Sequence, residues 1–318
     1  MSTIAPIAEQ KEKKIDFQHI VVATDFSAAL KPSLAHAASL ARRYGAELSL
    51  VHAICSEPRE PVPMDPLPRE VDRQRLKAEQ KMKQLEEESS LQDLRHRTLL
   101  QFGSVWNLVH SIVEHDEVDL LVLGTHGRGG LKKLALGSIA EEMLRLATCP
   151  VLTVGPNASA PKSDVADFRS ILFATDFGPA SANAFQYALF LAGARAKLTL
   201  FHTVPPTAIV DIGPAAYCPG TCAARELILW QFRTRQESLR KLRALVPSNT
   251  NLANEPECVV ASESLSEGIL AAAATCQAEL IVIGANRSRS ARLTAHVPWT
   301  LTHDILCQAK CPVLTVRN

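Results

Sequence analysis

Short, unbroken apolar runs recur along the chain, separated by longer stretches in which apolar positions return every three or four residues. In the first half the runs are "IVVATDFS" (20–27), "ELSLVHAI" (47–54), "HRTLLQFG" (96–103), "DLLVLGTH" (119–126) and "CPVLTV" (149–154). Apolar runs without polar alternation predict strands buried on both faces, the habit of a parallel sheet. Between them, "SAALKPSLAHAASLARRYGA" (27–46) reads as a helix that Ser27 is placed to cap and Gly45 to end. "VWNLVHSIVEHDEV" (105–118) sets Val105, Leu108, Val109, Ile112 and Val113 at helical spacing. The alternation predicts β-α-β-α-β-α-β-α-β, an open parallel sheet with helices on both faces.

The pattern then repeats. "ILFATDFG" (171–178), "KLTLFHTV" (197–204), "ELIVIGAN" (279–286) and a second "CPVLTV" (311–316) follow in the same order, offset by 150 to 162 residues. A period this long is a tandem duplication of a whole domain rather than a solenoid. The expected organisation is one α/β domain at 1–156, a linker at 157–168 and a second α/β domain at 169–318. The second connection is long in both copies. "SEPREPVPMDPLPREVDR" (56–73) has five prolines and should be a loop leading into a charged helix near 73–90, and 205–220 plays that part in copy two.

Composition narrows the function classes. The 318 residues are 47% hydrophobic and 21% charged with a net charge of +1, so nothing in the balance points to nucleic acid. No run reaches the 18 or so apolar residues of a membrane span, and the opening segment lacks the apolar core of a secretory leader. The expectation is a soluble, cytoplasmic protein with neither nucleic acid nor membrane as partner. Eight scattered cysteines fit small buried hydrophobes. Cys218 and Cys222 in "CPGTC" are the exception, a thiol pair or half of a metal site with no second pair at finger-like spacing.

The chemistry concentrates in "GTHGRGGLKKLALGS" (124–138), which holds five of the fourteen glycines. Gly124 falls at the carboxyl end of a predicted buried strand, where such sheets bind ligands. Glycines there allow close backbone approach and anion-cupping N–H groups, and Gly137-Ser138 opens the next helix, whose free N–H groups favour a phosphate. Arg128 can reach outer phosphates. On residues alone the stretch can equally be an ordinary connection ending on a Ser cap. It is neither a P-loop, since G-x-x-x-x-G-K-[ST] is absent, nor the G-x-G-x-x-G of a dinucleotide fold.

The spacing Gly124-x2-Gly127-x9-Gly137-Ser138, with Asp25 in "ATDFS" and the closing "CPVLTV", resembles the ATP-binding signature of the universal stress protein family. The likeness covers nearly the whole chain twice, so the sequence is similar to a tandem member with adenine nucleotide alpha-hydrolase-like, Rossmann-like domains. The resemblance implies ATP with Mg²⁺ as ligand. It places Asp25 and Ala53 at the adenine, Leu123 and Gly124 against the ribose, and His126, Gly127, Arg128, Gly137, Ser138 and Ile139 around the triphosphate. It also implies that the last strands, 150–154 and 312–316, pair as an intramolecular version of a homodimer, with further dimerisation left open. From the residues alone, Asp25 can instead only cap the helix that follows, and His126 can be no more than a polar loop residue.

Copy two departs from the signature. Gly284 and Asp176 persist, but Arg287 stands at the Gly127 position, Trp299 at Gly137 and Thr300 at Ser138, with Pro298 removing a nearby N–H. Nucleotide is therefore expected in the first domain only, with Arg287, Arg289 and Arg292 as an alternative anion site in the second. No catalytic residue is assigned, because Ser138 and His126 stand near the motif without an acidic cluster, and Glu141 and Glu142, one turn into the helix, suit a solvated N-terminal face. The expected function is an ATP-binding regulatory protein acting through an unidentified protein partner, with at most slow hydrolysis. The alternatives are an ATP-using enzyme of the same layout, which should show an S-G-G-x-D-S-like loop, and a ligand-free scaffold.

Overall fold

The computed structural model describes residues 15–54, 68–87, 91–125, 136–204, 222–247, 250, 252, 254–285 and 297–317. The chain divides into two compact units, one of residues 1–167 together with 306–318, the other of 168–305. Unit 1 runs β1 (His19–Ala23), α1 (Leu30–Tyr44), β2 (Glu47–Ile54), α2 (Pro68–Glu86), β3 (His96–Phe102), α3 (Val105–His115), β4 (Leu120–Gly124), α4 (Ser138–Leu146) and β5 (Val151–Val154). Unit 2 runs β6 (Ser170–Ala174), α5 (Pro179–Ala192), β7 (Lys197–Thr203), α6 (Cys222–Ala244), β8 (Glu257–Ala261), α7 (Leu265–Thr275) and β9 (Leu280–Ala285). Helix α8 (Val297–Gln308) then leads to β10 (Val313–Arg317).

In unit 1 the strands lie in the order β3-β2-β1-β4-β5, all parallel. Steps from β1 to β2 and from β2 to β3 go one way and the return through β4 to β5 goes the other. Right-handed crossovers therefore put α1 and α2 on one face and α3 and α4 on the opposite one, and α3 touches α4 as that requires. The central strands are the apolar runs of the sequence, and Ile20, Val21, Val22, Leu121 and Val122 have no exposed surface. Unit 2 repeats the arrangement as β9-β6-β7-β8, again parallel.

The closing strand belongs to unit 1. β10 pairs antiparallel with β5, Val313 opposite Thr153, Leu314 opposite Leu152 and Thr315 opposite Val151. By the repeat these residues complete the second copy, yet they cover the edge that β5 would otherwise leave open.

Helix boundaries follow local chemistry. Gly45 ends α1 with φ 69°, its N–H donating to the Ala41 carbonyl, as the sequence suggests. Ser27 does not cap α1. The helix begins at Leu30 with Ala29 as its N-cap, because the Ser27 N–H is drawn into a turn by Asp25. The charged helix after the proline-rich connection begins earlier than 73, at Pro68, whose fixed φ suits a first helical turn. Residues 55–67 and 205–221 of the two long connections lie outside the described residues.

Residues 159–166 lie along α1. The Ser159 carbonyl accepts from His36 Nε2 at 2.9 Å and the Ala166 N–H donates to the Ser39 carbonyl at 2.9 Å. Arg42 grips Asp93 through Nε and Nη2 at 2.7 and 2.8 Å and sends Nη1 to the Asp164 carbonyl at 3.2 Å. Arg43 Nη1 reaches the Ala166 carbonyl at 3.3 Å. Interior-facing His36 and the basic last turn of α1 thus supply donors for a segment that has no secondary structure to satisfy its own carbonyls.

Burial opposes protonation of His36 more than the Ser159 carbonyl favours it, so its pKa falls below the ordinary 6.5. A buried neutral histidine binds fewer protons than its unfolded counterpart. Its contribution to stability is complete above pH 6.5 and is lost as pH falls through that value toward the lower folded pKa. The urea midpoint of unit 1 should therefore drop between about pH 7 and pH 5, and His36→Gln, which keeps a donor for Ser159, should drop less steeply. Equal slopes for the two proteins would show that His36 carries none of the pH dependence.

Candidate functional site

At the end of β1 the chain reverses through two side-chain bonds to its own backbone. Thr24 Oγ1 accepts from the Phe26 N–H at 2.8 Å and Asp25 Oδ1 from the Ser27 N–H at 2.9 Å. Between them Phe26 takes a left-handed φ of 59°, a conformation that costs a residue with Cβ about 1 kcal/mol. Its ring lies 4.3 Å from that of His52, whose Nδ1–H donates to the Thr24 carbonyl at 2.7 Å. This bond fixes the turn to the end of β2, one residue before Ala53. Lys81 of α2 places Nζ 5.3 Å from the centre of the Phe26 ring.

Register sets the ends of three strands near one another. Ala23 stands opposite both Val51 and Leu123; Asp25 and Thr125 each follow two residues later, beyond the ends of β1 and β4, whereas Ala53 is still within β2, opposite Gln101. β1 and β4 are the neighbours between which the strand order reverses, the place where sheets of this kind open a crevice. Leu123 and Ala53 are buried in its floor.

Gly124 is required here for packing. A Cβ on it would lie 2.7 Å from Ala29 Cβ, 3.1 Å from the Ala29 carbonyl oxygen and 3.2 Å from Ser33 Oγ, so its absence lets the start of α1 close on β4. The loop that follows is clasped at its ends, with the Gly137 N–H donating to the Thr125 carbonyl at 2.9 Å. Gly137 is the extended N-cap of α4, and its carbonyl receives the Glu141 N–H at 2.9 Å. The clasp brings the amino terminus of α4, with its unsatisfied N–H groups, beside Gly124 at the crevice. Ser138 is the first residue of α4, and Ile139 behind it is 40% exposed. His126, Gly127 and Arg128 lie outside the described residues, as does the side chain of Ser138.

Unit 2 reproduces the turn closely. Thr175 Oγ1 accepts from the Phe177 N–H at 2.9 Å, Phe177 has φ 61°, and His202 Nδ1 donates to the Thr175 carbonyl at 2.7 Å with the rings 4.5 Å apart. The difference is at the carboxylate. Asp176 Oδ1 receives both the Gly178 N–H at 2.8 Å and the Ser181 hydroxyl at 2.5 Å. Ser181 stands where copy one has Leu30, so here the acid is tied to the first turn of α5. Lys241, the counterpart of Lys81 over the aromatic ring, is itself paired with Glu237 at 2.8 Å. Pro298 and Trp299 fall within the first turn of α8, and Arg287, Arg289 and Arg292 lie outside the described residues.

A serine–histidine contact exists elsewhere and is spoken for. His19 Nδ1 donates to the Asp116 carbonyl at 3.0 Å, leaving Nε2 to accept from the Ser49 hydroxyl at 2.7 Å. Ser49 Oγ also accepts from Arg97 Nε at 2.8 Å and has no exposed surface, so it is a structural tie at the amino-terminal end of the sheet. Among the described residues no group of His, Cys, Asp or Glu could hold a metal. Cys149, Cys258, Cys276, Cys307 and Cys311 are free thiols, with burial pushing Cys149 up to about 12. Cys218 lies outside the described residues, as does the side chain of Cys222.

Sequence reasoning passes over Phe26, His52 and Lys81. The signal was present in the repeat, because "TDF" and the histidine late in the second strand recur in both copies.

A duplicated parallel α/β sheet with its crevice at the strand-order reversal defines the class as Rossmann-like. The model of the universal stress protein family matches residues 16–155 and again 167–317, and the chain belongs to that family as a tandem member. It is 30% identical over 145 residues to a universal stress protein of Methanocaldococcus jannaschii, an alignment covering 43% of this chain and 82% of that protein. It is 34% identical over 141 residues to universal stress protein A homolog 1 of Coxiella burnetii, covering 43% and 96%. A universal stress protein structure from Archaeoglobus fulgidus superposes with a TM-score of 0.60 at 16% identity, over 94% of this chain and 98% of that one. At that identity the likeness speaks to the fold. Each sequence relative spans less than half of this chain, in keeping with a duplicated domain.

The two strand-end glycines differ in what surrounds them. A Cβ on Gly284 would lie 2.4 to 2.7 Å from backbone atoms of Ser181 and Ala180, which cannot rotate away. Gly284→Ala should therefore destabilise unit 2 by about 1–3 kcal/mol or more, and Gly124→Ala should disturb unit 1 less, its nearest contact lying at 2.7 rather than 2.4 Å. Chemical denaturation of the two variants ranks them, and a neutral Gly284→Ala would contradict the packing account.

Proposed function

We propose that unit 1 is an ATP-binding regulatory module and that nucleotide occupancy, rather than turnover, is its output. In this reading Asp25 and Ala53 meet the adenine, and Leu123 and Gly124 flank the ribose. His126, Gly127, Arg128, Gly137, Ser138 and Ile139 surround the triphosphate. The observation that supports the reading is the Gly137–Thr125 clasp, which brings the start of α4 back to the end of β4, where Gly124 lies. Free N–H groups and the helix dipole there suit an anion.

The described residues fit a nucleotide better than an isolated metal. With no acidic cluster among them, a Mg²⁺ ion would be held chiefly by the phosphates it neutralises, and its contribution would be charge compensation. The buried Ser49–His19 pair lies at the amino-terminal end of the sheet and supplies no base to the crevice. Unit 2 takes no ATP in the same way, since Ser181 engages Asp176 and the phosphate loop has lost Gly127 and Gly137 to Arg287 and Trp299. A cytoplasmic setting accords with the free thiols and with the lack, among the described residues, of any helix long and apolar enough to cross a membrane.

Isothermal titration of the full chain with ATP and Mg²⁺ should give one site per chain, with little phosphate released over hours. Gly127→Arg, which copies the second domain, should abolish that binding while leaving the circular dichroism spectrum and melting unchanged. Rapid turnover would favour an ATP-using enzyme, and an empty wild-type protein would favour a scaffold. Unaltered affinity in Gly127→Arg would remove the site from this loop.

A further inference from the structure

Helix α6 carries an exposed apolar turn. Residues 229–233 are all exposed, Leu229 by 53%, Trp230 by 46% and Phe232 by 60%. These five positions run right round the helix, so its apolar side chains are open to solvent on more than one side. Further along, Ser238 and Leu242 are buried and the helix rests on β7 and β8. At about 100° per residue, Trp230 and Phe232 project to nearly opposite sides of the axis. A flat, rigid surface could cover one and leave the other wet, whereas a fluid apolar phase surrounds both.

The charge of the same helix is one-sided. Residues 229–244 hold five basic side chains and a single acid, Glu237, which is paired with Lys241 at 2.8 Å. Arg233, Arg235, Arg240 and Arg243 are exposed and form no salt bridge among the described residues. Arg240 and Arg243 are neighbours at i, i+3, a like-charge spacing that destabilises a free helix and that an anion relieves. Arg233, Arg240 and Arg243 share one side of the helix as a row, and in a chain of net charge +1 this row is a local concentration.

We propose that α6 docks peripherally on an anionic lipid surface, with Leu229, Trp230 and Phe232 entering the interface and the arginine row lying on phosphate headgroups. Aromatic and aliphatic groups beside unpaired arginines are the composition that partitions into a headgroup layer, and the guanidinium fork matches phosphate oxygens. The contact is with a surface and requires no membrane span, so it revises only the expectation that a membrane is no partner. It stands apart from the nucleotide reading, which concerns unit 1.

Flotation of the full chain tests it, using vesicles of phosphatidylcholine alone and of phosphatidylcholine with one-third phosphatidylglycerol. Recovery with the anionic vesicles should exceed that with neutral ones by about tenfold or more. The Leu229→Ser/Phe232→Ser and Arg240→Gln/Arg243→Gln variants should each lose about tenfold, with unchanged melting because these positions are exposed. Trp230→Phe should still float but lose the blue shift of tryptophan emission on binding. Absent flotation, equal recovery on both vesicles, or undiminished recovery of both double variants overturns the proposal. Binding of soluble polyglutamate through these residues without vesicle binding would point to an acidic protein partner and overturns it equally.

Discussion

The turn at the end of the first strand is the constraint on which the candidate site depends. Two side-chain oxygens, Thr24 Oγ1 and Asp25 Oδ1, capture the next N–H groups and hold Phe26 in a left-handed conformation that it would not adopt alone. His52 then ties the turn to β2 through the Thr24 carbonyl. With the turn set, α1 starts where it can press Ala29 and Ser33 against Gly124. The strain in Phe26 is modest beside the three hydrogen bonds and the ring contact that over-determine it.

The same turn recurs in unit 2 with almost the same distances although the glycine spacing after β4 does not. The repeated part is therefore fold-forming, and any ligand chemistry would be a separate layer on top of it. Asp25 and Asp176 occupy equivalent places and each accepts the N–H two residues on, and the Ser181 hydroxyl further ties Asp176 to the first turn of α5. Gly124 and Gly284 likewise survive in both copies because a helix packs on them, which is why a strand-end glycine by itself distinguishes neither copy as a binding domain.

The segment between the repeats is bound to α1 rather than merely joining two domains. Its carbonyls find donors in His36, Arg42 and Arg43, and β10 closes the edge of β5 beside it. Residues from both ends of the linear sequence thus complete unit 1. Compactness and sequence repetition draw the boundary in different places, since the repeat follows the history of the chain and compactness follows its pairing.

What the sequence determined by itself is the alternation of elements, the duplication and the family. These rest on local signals that need no partner: unbroken apolar runs for buried strands, 3.6-residue spacing for α3, Gly45 for the end of α1, and glycine spacing for the loop. Tertiary structure alone decided that Ser27 does not cap α1, that Gly124 is held by packing, that Ser181 engages Asp176, and that β10 falls with unit 1 in compactness. Each of these depends on which of several competing partners reaches a donor, an acceptor or a strand edge first. That competition is settled by where the backbone runs in space, and a one-dimensional pattern does not carry it.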